Sequence, residues 1–297
     1  MLRIGLFMAT NIAILALFTI IFQTLGLEQY LASQGLNTNL TGMLIMCAMF
    51  GFGGSLISLF ISKWMAKRSS GTKIIDQPST PDERWLMETV ADLAKKADIG
   101  MPEVGIFPAE QSNAFATGWN KNNALVAVSA GLLHRFEKEE VRAVLAHEIG
   151  HVANGDMITL TLIQGVLNTF VMFFARIIGS IIDKVIFKND RGHGIGYFVT
   201  VMVLQVVLGI FASIIVMAFS RWREFRADNA GAQFATRGSM IAALQRLQAE
   251  TQAQVPNQMP DTLTAFGISG GWKKHASRLF MTHPPLEERI ETLRRGL

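Results

Sequence analysis

The chain has 297 residues, half of them hydrophobic and only 17% charged, against roughly 25% charged in soluble proteins, which excludes an ordinary soluble domain. The net charge of +4 is spread thinly, and no basic cluster interleaved with aromatics suggests a nucleic-acid partner. The single cysteine, Cys47, lies in an apolar run, so neither an intramolecular disulfide nor a Cys-based zinc site is available.

Two blocks nearly free of charge, about residues 4–62 and 157–219, alternate with globular-looking sequence at 63–156 and 220–297. Residues 4–25 are apolar and long enough, at about 1.5 Å per residue, to cross a bilayer core. A cleavable signal peptide is the competing reading, disfavoured by the length of the run and by a second span at about 39–62. Arg3 precedes the first span, Lys63, Lys67 and Arg68 follow the second, and the loop between them holds Glu28 and no cation. By the positive-inside rule, residues 1–62 form a transmembrane hairpin with both ends in the cytoplasm. Gly51, Gly53 and Gly54 are expected to form a packing seam.

Within 63–156, Thr80 and Glu83 form a capping box with Pro81 at the first helical position, predicting a helix to about Lys96. Short strands are expected at 103–107, 112–117 and 124–129. A helix follows from about Glu137 to Ala153, stopped by Gly155. The second hydrophobic block divides into about 157–187 and 195–218. Its orientation is ambiguous: Lys184, Lys188 and Arg191 fall on the far side against the charge rule, and Arg176 is either functional or snorkelling. Two crossings or none leave 147–156 and 220–228 on one side. Beyond Ser220, helices are expected near 221–234 and 239–250, and Pro284-Pro285 open a last helix carrying Leu286, Ile290 and Leu293.

His147 and His151 are four apart, so both imidazoles project from one helix face. Val141, Leu145, Ile149 and Val152 form an apolar stripe on the same helix, roughly 200° away from the histidines. The histidines therefore suit the wall of a cleft. Glu148 is the carboxylate that a zinc-activated water needs, taking its proton and returning it to the leaving amine. A catalytic zinc wants a third protein ligand. A metzincin would need Gly at 154 and His at 157, where this chain has Asn154 and Met157. Glu224 and Asp228, again four apart, are expected to supply that ligand and an acceptor that fixes a histidine tautomer. Asp156, Glu139 and Glu140 are rivals, and a solvated charged face is the plain alternative. Tyr30 and Tyr197 lie in or beside the membrane blocks on the wrong side, leaving His283 for the oxyanion, unless it caps the last helix. Arg289 could reach the same cleft or an acidic partner. Asn113 and Ala116, on a strand that reads as exposed, are candidate substrate contacts through strand addition.

The runs Asn113 to Gly118, His147 to Asp156, Arg223 to Asp228 and Thr282 to Pro285 together resemble the HtpX family of bacterial heat-shock-associated membrane proteases. These belong to the gluzincin group, with the prenyl-protein (CAAX) endopeptidases and Oma-type proteases. The resemblance spans essentially the whole chain. It implies one zinc ion at His147, His151 and Glu224, with Glu148 as base. It also implies quality control of damaged membrane proteins, or of unfolded polypeptides, from the cytoplasmic side of a bacterial inner membrane. The expected architecture is mainly α: four hydrophobic helices in two hairpins, with a cytoplasmic zincin-like α+β domain built from two separated segments. A zinc-stabilised scaffold would leave Glu148 without a purpose, and a transporter lacks a broken-helix pair.

Overall fold

A computed structural model describes residues 16, 19–21, 23–33, 39–189, 192–252, 281 and 283–296. The expected first span at 4–25 lies largely outside these residues. In chain order the described elements are α1 (Leu27–Ser33), α2 (Leu40–Ser70), β1 (Lys73–Ile74), α3 (Pro81–Lys96), β2 (Glu103–Phe107), β3 (Ala114–Asn120) and β4 (Asn123–Ser129). These are followed by α4 (Ala130–Arg135), α5 (Lys138–Asn154), α6 (Asp156–Val185), α7 (Ile195–Phe234), α8 (Arg237–Gln252) and α9 (Leu286–Arg295). The chain divides into two compact units, Met1–Ser58 with Thr159–Val216 and Leu59–Ile158 with Met217–Leu297.

In the first unit, Leu40, Leu44, Cys47 and Phe173 form a small buried cluster. Three helices among the described residues, α2, α6 and α7, are long and apolar enough to cross a membrane. The glycine seam reduces to one position. A Cβ on Gly51 would fall 2.5 Å from Thr169 Oγ1 and 2.8 Å from the Gly165 carbonyl, whereas Gly53 and Gly54 have open space beside them.

The second unit carries a four-stranded sheet of order β1-β2-β4-β3, with β2 parallel to β4 and the other pairs antiparallel. Strand β3 therefore forms one edge of the sheet. It runs from Ala114 to Asn120 rather than over 112–117, because a bulge at Gly118/Asn120 lets the hairpin continue to a tight Lys121-Asn122 turn. Helix α3 begins as its capping box requires: Thr80 Oγ1 accepts from the Glu83 amide at 3.1 Å, and Glu83 Oε2 accepts from the Thr80 amide at 3.1 Å. Leu86, Val90 and Leu93 of α3 pack with Val104, Val126 and Val128 of the sheet and with Leu145 and Ile149 of α5. The stripe read from the sequence is the buried face of α5: Val141, Leu145, Ile149 and Val152 are all inaccessible.

Helix α5 ends at Asn154, where Gly155 takes a left-handed conformation (φ 67°) and α6 starts at the next residue. One expectation fails at α7. A separate helix was expected from about 221, yet 195–234 is a single helix of 40 residues. The change from apolar to charged side chains at Ser220-Arg221 marks a change of surroundings. It contains no proline or glycine to interrupt the backbone ladder.

Candidate metal centre

The centre is assembled from three helices of the second unit. α5 contributes His147, Glu148 and His151, the charged end of α7 contributes Glu224 and Asp228, and α9 contributes Arg289. The apolar part of α7 ends at Phe219, so these carboxylates lie beyond it. The close approach of α5 and α7 depends on Gly150: a Cβ there would sit 2.7 Å from Ala230 Cβ and 3.4 Å from the Ala227 carbonyl. The fourth residue of H-E-I-G-H is therefore small so that the helix bearing Glu224 can come close.

Spacing of i,i+4 on α5 places the two imidazoles 4.8 Å apart, ring planes at 90°. Each is gripped from behind by a carboxylate. His147 Nδ1 donates to Asp228 Oδ1 at 2.9 Å, and His151 Nδ1 donates to Asp156 Oδ2 at 2.7 Å. A carboxylate can only accept, so each Nδ1 holds the hydrogen and each Nε2 is left with its lone pair when the ring is neutral. Both Nε2 atoms turn to Glu224: His147 Nε2 is 3.6 Å from Oε2 and His151 Nε2 is 3.3 Å from Oε1. One ligand atom from each of the three residues lies within 4.8 Å of the other two.

Glu224 is 2% exposed and its Oε2 accepts no well-aligned hydrogen bond. His283 Nδ1 at 2.7 Å and Arg289 Nη1 at 3.2 Å are ion contacts to the same oxygen. A buried carboxylate oxygen without a proper donor, facing two imidazole nitrogens, is the donor set a divalent metal of zinc type takes. Arg289 forms a two-pronged bridge to Asp228, Nε to Oδ2 at 2.8 Å and Nη2 to Oδ1 at 2.6 Å. It thus supplies the positive charge that lets two carboxylates stay ionised together in a buried place.

The titration shifts follow from this network. Burial alone would push His151 down, but its hydrogen bonds to Asp156 and Glu224 and the nearby Glu148 charge raise it to about 9. His147 is raised in the same sense by Asp228 and Glu224, against burial and Arg289. Burial would raise Asp228, but Arg289 and His147 hold it below the usual carboxylate range. For Glu224, burial is outweighed by the three histidines, which hold it far below that range. Arg223, also buried, pairs electrostatically with Asp156 and Glu224, and its Nη2 donates to Ser220 Oγ at 3.3 Å.

A cavity of about 560 Å³ opens onto the centre. His147, Glu148 and Glu224 line it together with His283, Arg289 and Asn113. His283 stands at its mouth with its side chain 63% exposed. Asn113 is tied into the sheet, its amide donating to Ser129 Oγ at 2.9 Å and its carbonyl accepting from the Ser129 amide at 2.9 Å. Ala116 lies further along edge strand β3, paired with Val126. All the residues expected at the site are thus in one unit, with His151, Asp228 and Ala116 outside the cavity lining. Of the rival ligands, Asp156 is the acceptor for His151, while Glu140 binds the Glu137 amide at 2.9 Å as a helix cap. Neither the Asp156 role nor the Arg289 bridge follows from the i,i+4 reasoning that located the ligands. The signal for Asp156 is an acid placed directly after the left-handed Gly155.

Residues 81–296 match the model of peptidase family M48. The chain is 65% identical to Protease HtpX of Hahella chejuensis (strain KCTC 2396) over 293 residues, 99% of each chain. It is 63% identical to Protease HtpX of Pseudomonas fluorescens (strain Pf0-1) over 295 residues, again 99% of each. Among solved structures, that of S. mikatae Ste24p shares the fold at a TM-score of 0.61 and 16% identity, covering 93% of this chain and 66% of that one. The chain belongs to peptidase family M48 and is a membrane-associated metalloprotease.

Proposed function

We propose that this enzyme hydrolyses peptide bonds of misfolded or damaged membrane proteins at the cytoplasmic face of a bacterial inner membrane. Its metal is zinc, held by His147, His151 and Glu224, and Glu148 is the general base. The observation that carries this reading is the pair of imidazoles locked by Asp228 and Asp156 so that both Nε2 atoms face Glu224. Zinc in such a site supplies Lewis acidity toward the attacking water and the scissile carbonyl.

The remaining chemistry belongs to the chain. An extended substrate adds to the open edge of β3 through main-chain hydrogen bonds, with Asn113 and Ala116 along its path. Glu148, half-buried in the cavity wall, accepts a proton as the water oxygen bonds to the carbonyl carbon. It delivers that proton to the amide nitrogen as the C–N bond breaks, so one water is consumed and two termini are released. His283, exposed at the mouth, leaves Glu224 and donates to the oxygen on which negative charge develops. Asp228 and Asp156 move no proton: they fix the rings. The cytoplasmic side is supported by Lys63, Lys67 and Arg68 after the apolar part of α2, and by Arg221, Arg223 and Arg226 after that of α7.

Metal analysis and cleavage of an unfolded membrane protein by wild type, Glu148→Gln and Glu224→Ala test the assignment together. The expected outcome is a metal-loaded but inactive Glu148→Gln and a Glu224→Ala that has lost its metal. Normal cleavage by metal-loaded Glu148→Gln would remove Glu148 as the base.

A further inference from the structure

Three tryptophans of the second unit are largely open to their surroundings: Trp64 at 61%, Trp222 at 54% and Trp119 at 42%. Two of them have an ordinary explanation. Trp64 and Trp222 follow the apolar stretches of α2 and α7 and sit beside cations, Arg68 over the Trp64 ring at 6.0 Å and Arg226 over Trp222 at 5.0 Å. That is the aromatic belt expected where a span meets the headgroups. Trp119 belongs to no apolar helix. It is carried at the tip of the β3–β4 hairpin, away from the metal centre.

The local backbone presents it deliberately. In the pairing of β3 with β4, Gly118 faces Ala124 and Asn120 faces Asn123, so Trp119 is the extra residue of a bulge and has no partner across the ladder. Bulges re-aim a side chain in this way. Gly118 permits it, because a Cβ there would meet the Asn123 carbonyl at 2.4 Å. The tip is held to the last apolar turn of α2. The Trp119 ring lies 5.9 Å from that of Phe60, Thr117 Oγ1 donates to Ser62 Oγ at 3.0 Å, and Lys63 Nζ donates to Asn123 Oδ1 at 2.6 Å. Its other side faces the start of α6, where Gly118, Lys121, Val152, Met157 and Ile158 share a small hollow. The tip therefore packs beside the residues where α2 leaves its apolar stretch and shares a hollow with those where α6 begins.

We propose that the β3–β4 hairpin is an interfacial membrane anchor, with Trp119 seated at the boundary between headgroups and acyl chains of an anionic bilayer. Trp119 lies beside Phe60 at the end of α2, where Ile61 and Met65 are also open, all four at least 42% exposed. Charge nearby fits the same partner. Lys63, Lys67 and Arg68 follow on α2 and Lys121 lies in the hairpin turn, and among the described residues Glu103, bound by the two α2 lysines, and Asp98, bound by Lys121 at 3.1 Å, offset them. Cations beside exposed aromatics suit a negatively charged lipid surface. Because β3 runs from this tip toward Asn113 at the cavity, the anchor would hold the substrate-receiving edge against the bilayer, whatever the chemistry at the metal.

The test is optical and independent of proteolysis. Full-length wild type and Trp119→Phe are reconstituted in vesicles of phosphatidylcholine and phosphatidylglycerol, and equal metal content confirms that both are folded. The difference between their emission spectra is the Trp119 contribution. It should be blue-shifted, lose most of its intensity when the lipids carry bromine close to the headgroup, and respond little to iodide. Strong iodide quenching without bromolipid quenching would place the tip in water and overturn the proposal. Quenching by neither would mean that protein covers Trp119, a second copy of the chain included, and would overturn it equally.

Discussion

Replacing Gly150 with alanine separates metal binding from stability. The added Cβ would lie 2.7 Å from Ala230 Cβ, whereas carbon atoms rest at about 3.5–4.0 Å. Both groups are on backbone-fixed positions, so α5 and α7 must part by about 1 Å to admit it. Metal sites tolerate ligand displacements of only about 0.2 Å, and the two histidines ride on one of these helices while Glu224 rides on the other. Overpacking costs roughly 1–3 kcal/mol, but alanine in a helix interior recovers about 1 kcal/mol relative to glycine. The metal-free protein should thus lose at most about 2 kcal/mol. Metal affinity should fall at least about tenfold to a hundredfold, the range seen when ligand support is disturbed. Metal titration with a competing chelator, beside denaturant unfolding of the metal-free form, measures both. Wild-type metal affinity in Gly150→Ala would refute the claim that this contact sets the ligand spacing.

Two other perturbations follow from the same network. Arg289→Met should leave the Asp228 and Glu224 carboxylates buried without their cation, costing about 3–5 kcal/mol. Unfolding of the metal-free variant checks this, and a loss below about 1 kcal/mol, the worth of a surface pair, would show that the bridge is dispensable. For pH, the His151 proton in the metal-free protein is held up to about 9, above its ordinary 6.5. Its contribution to metal-free stability is complete below 6.5 and disappears as pH rises through about 9. Metal must displace that proton, so affinity should climb across the same window and flatten above it. Calorimetric titration in buffers of different ionisation enthalpy should detect proton release near pH 7, and a pH-independent affinity would contradict the assignment.

Much of the centre was legible because its parts obey helical periodicity. Two histidines four apart and two acids four apart each define one face, and the apolar stripe of α5 shows which way the other face must look. The capping box of α3 was equally legible, since Thr80, Pro81 and Glu83 are local signals. What escaped reading depends on contacts made across the fold. Arg289 was expected in the cleft or on an acidic partner, but that the partner is Asp228, 61 positions away, was not legible, and Asp156 reaches back to His151 across the left-handed Gly155. The continuity of α7 was missed for a different reason. Polarity was read as a helix boundary, yet a helix can pass from lipid-like to watery surroundings without breaking. Trp119 was invisible as well, because a bulge inverts the alternation by which an exposed strand residue is recognised.

That unbroken helix leaves no loop between its apolar stretch and Glu224. Glu224 stands five residues past Phe219, where the uninterrupted apolar stretch of α7 ends, or about 7.5 Å along the axis. Under the proposed function, the metal ligand Glu224 is carried on the same continuous helix as an apolar stretch long enough to span a membrane. On that reading, the polypeptides the enzyme can reach are those lying close to the bilayer surface.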